Sequence, residues 1–214
     1  MKITIIYDNE VYKKEEGFKA DWGFSCLIET DLAKILFDTG ANGSILLSNM
    51  KKLSIDPHSI DEVFISHAHF DHAGGLSDFL KINKNVKVYL PISFYEHLDA
   101  KEIIGVEEPL QIHENIFSTG ELRGIEQSLA IKTEKGIAVI AGCSHPGVRD
   151  ILMASLKFGK VYALIGGLHG FSEFDLLKDL ELVCACHCTI FKSEIRSLYP
   201  EKSIHCGVGK IISL

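Results

Sequence analysis

The chain has 214 residues, 46% of them hydrophobic and 24% charged, with a net charge of −7 and a pI near 5.8. That is the balance of a globular protein with enough apolar material for a core, and its acidity argues against general nucleic-acid affinity, which rests on basic surface. No apolar run approaches the ~20 residues that span a bilayer, and Asp8 follows the first residues too soon for a secretory signal, so a cytoplasmic location and no membrane partner are expected.

Residues 3–8 alternate and are β-branched, a first strand closing on Asp8-Asn9, which is a good turn sequence in itself. Residues 10–22 are polar, include Lys13-Lys14-Glu15-Glu16, and read as a solvated loop. Trp22, the only tryptophan, either walls a pocket or covers the edge of the core. Residues 24–30 and 34–38 are spaced as a hairpin. Asp38-Thr39-Gly40 then precedes a helix whose apolar positions Leu46, Met50 and Leu53 fall four and three apart, so Asp38 suits an N-cap. Residues 62–65 form a strand, 75–82 a helix, and 86–91 a strand stopped by Pro91. Residues 92–115 have weak periodicity, and His97 and His113 within them read as surface residues.

Residues 127–133 and 137–141 make a second hairpin around Glu134-Lys135-Gly136. A helix is expected from Pro146, with Val148, Ile151, Leu152 and Leu156 on one face. The buried strand 161–168 ends in glycines and His169, and an amphipathic helix follows near 174–180. Cys184, Cys186 and Cys188 are too crowded for an ordinary disulfide framework and tighter than usual structural zinc spacings. A last helix carries Phe191, Ile195 and Leu198, and a final strand is expected at 203–209, where His205 reads as structural. With no linker or low-complexity tract, residues 1–214 read as one α/β domain.

The chemistry concentrates in Ser66-His67-Ala68-His69-Phe70-Asp71-His72-Ala73-Gly74-Gly75, where a strand stops and a helix starts. His67 and His69, two apart in extended chain, project from one side and suit adjacent ligands of one ion. Asp71 and His72 follow where the chain must turn, and suit a second ion about 3.5–4 Å away. Imidazole with carboxylate fits a borderline divalent metal: zinc first, manganese or iron as alternatives.

That stretch resembles the metal motif of the metallo-β-lactamase superfamily, and further matches extend over nearly the whole chain. They point to a branch of small prokaryotic metallo-hydrolases, some of which are dihydropterin-ribofuranosylaminobenzene phosphate synthases. The resemblance implies a four-layer αββα sandwich of two mixed β-sheets with helices outside and two metal ions at one edge. His145, in Gly142-Cys143-Ser144-His145, matches the third ligand of site one beside His67 and His69. His187, in His-Cys-Thr, matches the last ligand of site two beside Asp71 and His72, although Ile190 stands where the branch usually has glycine. Asp38 would lie beneath the metals, orienting ligands without binding, and Asp8-Asn9 would sit near the mouth of the substrate site. Most of the superfamily has a metal-bridging aspartate where this chain has His169; His169 therefore either binds one ion or stands in the pocket to steady a phosphate or donate a proton.

A small-molecule substrate is the expected partner, with phosphorylated compounds among the candidates. The expected activity is hydrolysis of a phosphoester or small ester by a metal-activated water, with Asp71 and His169 in the catalytic set. The alternative is the branch's pterin condensation, which requires a deeper, drier pocket than the short 92–115 region suggests. A third reading, prompted by Cys184, Cys186 and Cys188, is a non-catalytic metal-binding or redox-sensing protein.

Overall fold

A computed structural model of the chain describes residues 1–12 and 17–214; Lys13-Lys14-Glu15-Glu16, read above as loop, lies outside them. In chain order the strands are β1 (Lys2–Tyr7), β2 (Ser25–Glu29), β3 (Lys34–Phe37), β4 (Glu62–Phe64), β5 (Lys87–Pro91), β6 (Glu102–Val106), β7 (Leu110–His113), β8 (Ile116–Ser118), β9 (Leu129–Thr133), β10 (Gly136–Ala141), β11 (Val161–Gly167), β12 (Leu182–Cys186) and β13 (Ile211–Ser213). They pair as two sheets, β13-β1-β2-β3-β4-β5-β6 and β12-β11-β10-β9-β8-β7. Both are mixed. Antiparallel pairing from β13 to β3 gives way to parallel pairing from β3 to β6, and antiparallel pairing from β7 to β10 gives way to parallel β10-β11-β12.

The period-2 alternation of the strands sorts their side chains into layers. Ile3, Ile5, Phe37 and Phe64 from the first sheet meet Leu129, Ile131, Ile140 and Ile165 from the second in the core between them. Ile6, Leu36, Val63 and Val88 turn the other way, onto Leu46 and Met50 of α1 (Gly43–Lys52) and Phe79 of α3 (Leu76–Ile82), which follows the short α2 (Phe70–Ala73). On the far side, Val139, Leu164 and Val183 pack against Ile151 and Leu152 of α4 (Val148–Ser155) and Ile195 of α5 (Lys192–Leu198). The result is helix, sheet, sheet, helix. The described residues contain no helix long and apolar enough to cross a membrane.

Several sequence expectations are corrected. Residues 92–115 hold two strands, β6 and β7, short and only partly buried at the edges of their sheets. His113 is not a free surface residue: its Nε2 lies 3.0 Å from the buried Glu62 carboxylate. Asn42, not Asp38, caps α1, accepting from the backbone N–H groups of Ser44 and Ile45. Pro146 stands ahead of α4, because Gly147 is the N-cap with φ 99°. The helix near 174–180 shrinks to a 3₁₀ turn, Phe174–Leu177. The last strand is β13 instead of 203–209, and the segment before it runs back past β12, where Cys206 forms a disulfide with Cys186.

This topology places the chemistry. The C-terminal ends of the parallel strands β3, β4, β10, β11 and β12 are followed directly by Asp38, the 66–72 stretch, the 142–145 loop, His169 and His187. Crevices at such strand ends are the usual binding position in α/β sheets.

Candidate metal centre

Six non-glycine residues have positive φ among the described residues, and four of them sit at these strand ends: Asp38 (53°), Ser144 (61°), His169 (47°) and His187 (42°). Left-handed backbone costs most residues energy and persists where the surroundings over-determine it. Here it turns the chain sharply just past each strand instead of letting the strand continue.

Two clusters of donors result. In the first, His67, His69 and His145 have ring centroids 4.6, 4.8 and 4.7 Å apart. The Nε2 atoms of His67 and His145 are buried and have no hydrogen-bond partner, an arrangement that costs free energy unless something occupies the space between them. Burial, reinforced by neighbouring imidazoles, holds His67 and His145 well toward the neutral form, which is the form that ligates. His69 is exposed and leaves this cluster open on one side.

In the second cluster, Asp71, His72, His187 and Cys143 are all buried and offer donor atoms within 4.8 Å of one another. His187 Nε2 is 3.1 Å from Asp71 Oδ2, and His72 Nε2 is 3.1 Å from Cys143 Sγ. The clusters share a wall, with the His67 and His72 rings 4.1 Å apart. Three imidazoles in one set, and two imidazoles with a carboxylate and a thiol in the other, are donor sets suited to borderline divalent ions.

The ring nitrogens that face away are tied down. Asp38, fully buried, accepts from His72 Nδ1 at 2.7 Å, from Ser66 Oγ at 2.7 Å and from the Ser66 backbone N–H at 2.7 Å. With the Ser66 hydroxyl donating to Asp38, its oxygen accepts from His67 Nδ1 at 2.9 Å. One carboxylate therefore fixes two imidazoles with Nε2 turned to the crevice. Asn9 does the same for His187, accepting from Nδ1 at 2.8 Å, while Asp8 accepts from the His187 backbone N–H at 2.8 Å. Asp8 is fully buried. Asp8 and Asn9 thus fix His187 through its backbone N–H and its Nδ1. Trp22, half-exposed, lies edge-on to the His187 ring at 4.9 Å, on the crevice side instead of over the core.

Sequence reasoning missed Glu126 and Cys143. Buried Glu126 accepts four backbone N–H groups, from Gly142, Cys143, Ser144 and His145, at 2.8–3.1 Å. Burial pushes this carboxyl up to about 7, against the pull of those donors. It holds the 142–145 loop, which reaches both clusters. Gly142 is needed there because any β-carbon would collide with Ser66 and crowd His67 Nδ1. A solitary glutamate ahead of a hairpin carries no motif signal; the cysteine had one, two residues before a predicted ligand. His169 joins neither cluster. It is exposed at the rim, its ring 5.1 Å from that of His145.

Residues 23–143 match the model of the metallo-beta-lactamase superfamily. The chain is 32% identical, over 91% of its length and 90% of the relative's, to 7,8-dihydropterin-6-methyl-4-(beta-D-ribofuranosyl)-aminobenzene-5'-phosphate synthase of Methanocaldococcus jannaschii. Among solved structures it is similar to a metal-dependent hydrolase of the beta-lactamase superfamily (26% identity, TM-score 0.80, covering 100% of this chain and 99% of that one). It shares its fold with the metallo-beta-lactamase fold protein YhfI from Bacillus subtilis (14% identity, TM-score 0.71, 99% of each chain). From the motif, the sandwich and these likenesses together, the chain belongs to the metallo-β-lactamase superfamily, whose members bind divalent metals.

Proposed function

We propose that the protein is a hydrolase dependent on two divalent metal ions, zinc most readily, acting on a phosphoester or small ester. His67, His69 and His145 would hold one ion; Asp71, His72 and His187 would hold the other. Such ions supply Lewis acidity, lowering the pKa of water from 15.7 toward roughly 7 and polarising the oxygen of an electrophile. The observation that carries the reading is the pair of unpartnered, buried Nε2 atoms on His67 and His145, beside a second donor cluster and open on the His69 side.

The chain's own residues supply the rest. Asp38, Ser66 and Asn9 orient imidazoles, and Glu126 holds the loop that bears His145. His169, exposed beside His145, is set to contact substrate and to give a proton to the leaving oxygen.

A second reading, pterin condensation, is favoured by one finding: the 32% identity to the pterin-related synthase over most of both chains. Against it, that alignment extends over 267 positions although this chain has 214 residues, so the relative has segments lacking here. Elemental analysis of the purified protein, followed by phosphodiesters, phosphomonoesters, lactones and a pterin diphosphate with an arylamine, decides between them. Turnover of an ester or phosphoester by metal-loaded protein supports hydrolysis. Turnover only of the pterin and arylamine pair selects the synthase, and bound metal with no turnover selects a non-catalytic role.

A further inference from the structure

The second cluster contains a donor that the superfamily motif does not name. Cys143 Sγ lies 3.1 Å from His72 Nε2 and within 4.8 Å of the donor atoms of Asp71 and His187. Ligand atoms about 2.0–2.3 Å from a tetrahedral centre stand roughly 3.5 Å from one another. The measured separations of 3.1 Å for His187 to Asp71, 3.1 Å for His72 to Cys143 and 3.8 Å for His72 to Asp71 fall around that value. We propose that Cys143 is the fourth protein ligand of the second ion, bound as a thiolate; this rests on the metal-dependent reading above.

Three features of the fold support it. Cys143 is aimed by construction, since its backbone N–H and those of its neighbours are pinned to Glu126 while Ser144 takes a left-handed turn. One loop thereby sends Cys143 to one cluster and His145 to the other. Next, β11 supplies nothing to the second cluster, because His169 at its end leans toward His145. Without Cys143 the second ion would have three protein ligands. Last, the remaining sulfur cluster is a poor competitor: Cys186 and Cys206 are bonded to each other, and Cys184 lies in the core between the sheets.

The two ions would then differ in kind. Three neutral imidazoles leave the first ion its full positive charge, whereas Asp71 and a thiolate neutralise the second. A thiolate also biases the second site toward zinc, cobalt or iron and away from manganese and magnesium.

The test is titration of chelator-treated protein with cobalt(II), following near-ultraviolet sulfur-to-cobalt charge transfer and bound cobalt by elemental analysis. The expected result is two cobalt ions per chain with a charge-transfer band that is kept in Cys188→Ser and lost in Cys143→Ser. In Cys143→Ser the second equivalent should bind about 10-fold or more weakly, in line with the loss of a well-placed supporting group. Two bound ions without the band in the unmutated protein, or a band that survives in Cys143→Ser, would overturn the assignment and leave the metal-dependent reading standing. Failure to bind cobalt at all would overturn both. Should Cys143→Ser not fold, X-ray absorption of the zinc-loaded Cys188→Ser protein replaces it: a sulfur neighbour at about 2.3 Å from zinc supports the ligand, and nitrogen and oxygen neighbours alone remove it.

Discussion

Asp38 Oδ2 and His72 Nδ1 are 2.7 Å apart, and neither side chain has any exposure to solvent. The same oxygen accepts from the Ser66 hydroxyl, so one buried carboxylate sets the orientation of His72 directly and of His67 through Ser66. Asp38→Asn keeps the shape but turns an amide N–H₂ toward groups that are themselves donors. We expect metal affinity to fall about 10- to 100-fold with the fold retained. Competition with a chromophoric chelator measures it, and unchanged affinity would detach Asp38 from the metal centre.

His67→Ala should remove the first ion and abolish turnover while leaving the circular dichroism spectrum in place. The same variant reports the pH behaviour of the metal-free protein. Burial keeps His67 neutral in the fold, whereas in the unfolded chain it protonates below about 6.5. Unfolding therefore takes up a proton as pH falls through 6.5, and this imidazole's contribution to stability is present above that value and lost below it. The stability difference between unmutated protein and His67→Ala should shift against the unmutated protein by about 1.4 kcal/mol per pH unit below 6.5. Urea unfolding in chelator from pH 7.5 to 5 checks this, and parallel curves would mean that His67 is charged in the fold.

Glu126→Gln replaces an acceptor of four N–H groups by an amide with a single acceptor oxygen. At least one buried donor loses its partner, a cost of about 1–3 kcal/mol. Both ions should be held more weakly, because the 142–145 loop feeds both clusters. A urea midpoint within error of the unmutated protein would show that the loop holds itself.

His169→Ala should retain the full complement of metal and lower kcat, since His169 stands at the rim and in neither donor cluster. Elemental analysis beside kinetics on the best substrate of the panel separates the roles. Loss of an ion would make His169 a ligand.

The sandwich and the 67–72 stretch were legible because their signals are local. Strand alternation needs five or six consecutive residues, and the three histidines with Asp71 lie within six. The partners of those histidines were legible only in part. Asp38 stood out by the superfamily pattern, but its competing role as a helix cap fell only when Asn42 proved to hold α1. Glu126 meets its loop 16 to 19 residues later, through backbone atoms that carry no side-chain signature. Strands β6 and β7 escaped because they are short edge strands, five and four residues long and only partly buried, so their pattern is too brief to stand out. Asp8-Asn9 illustrates the converse: the pair was noticed as a turn near the mouth, and its contact with His187 lies 178 residues away in sequence.

Each donor cluster draws on both sheets: His67, His69, Asp71 and His72 follow β4 in one, and Cys143, His145 and His187 follow β10 and β12 in the other. A cation at either place would act as a rivet between two slabs otherwise joined mainly by apolar side chains. It could be set only after the slabs have met, so metal capture belongs at the end of assembly, and a chelator should loosen the seam before it melts either sheet.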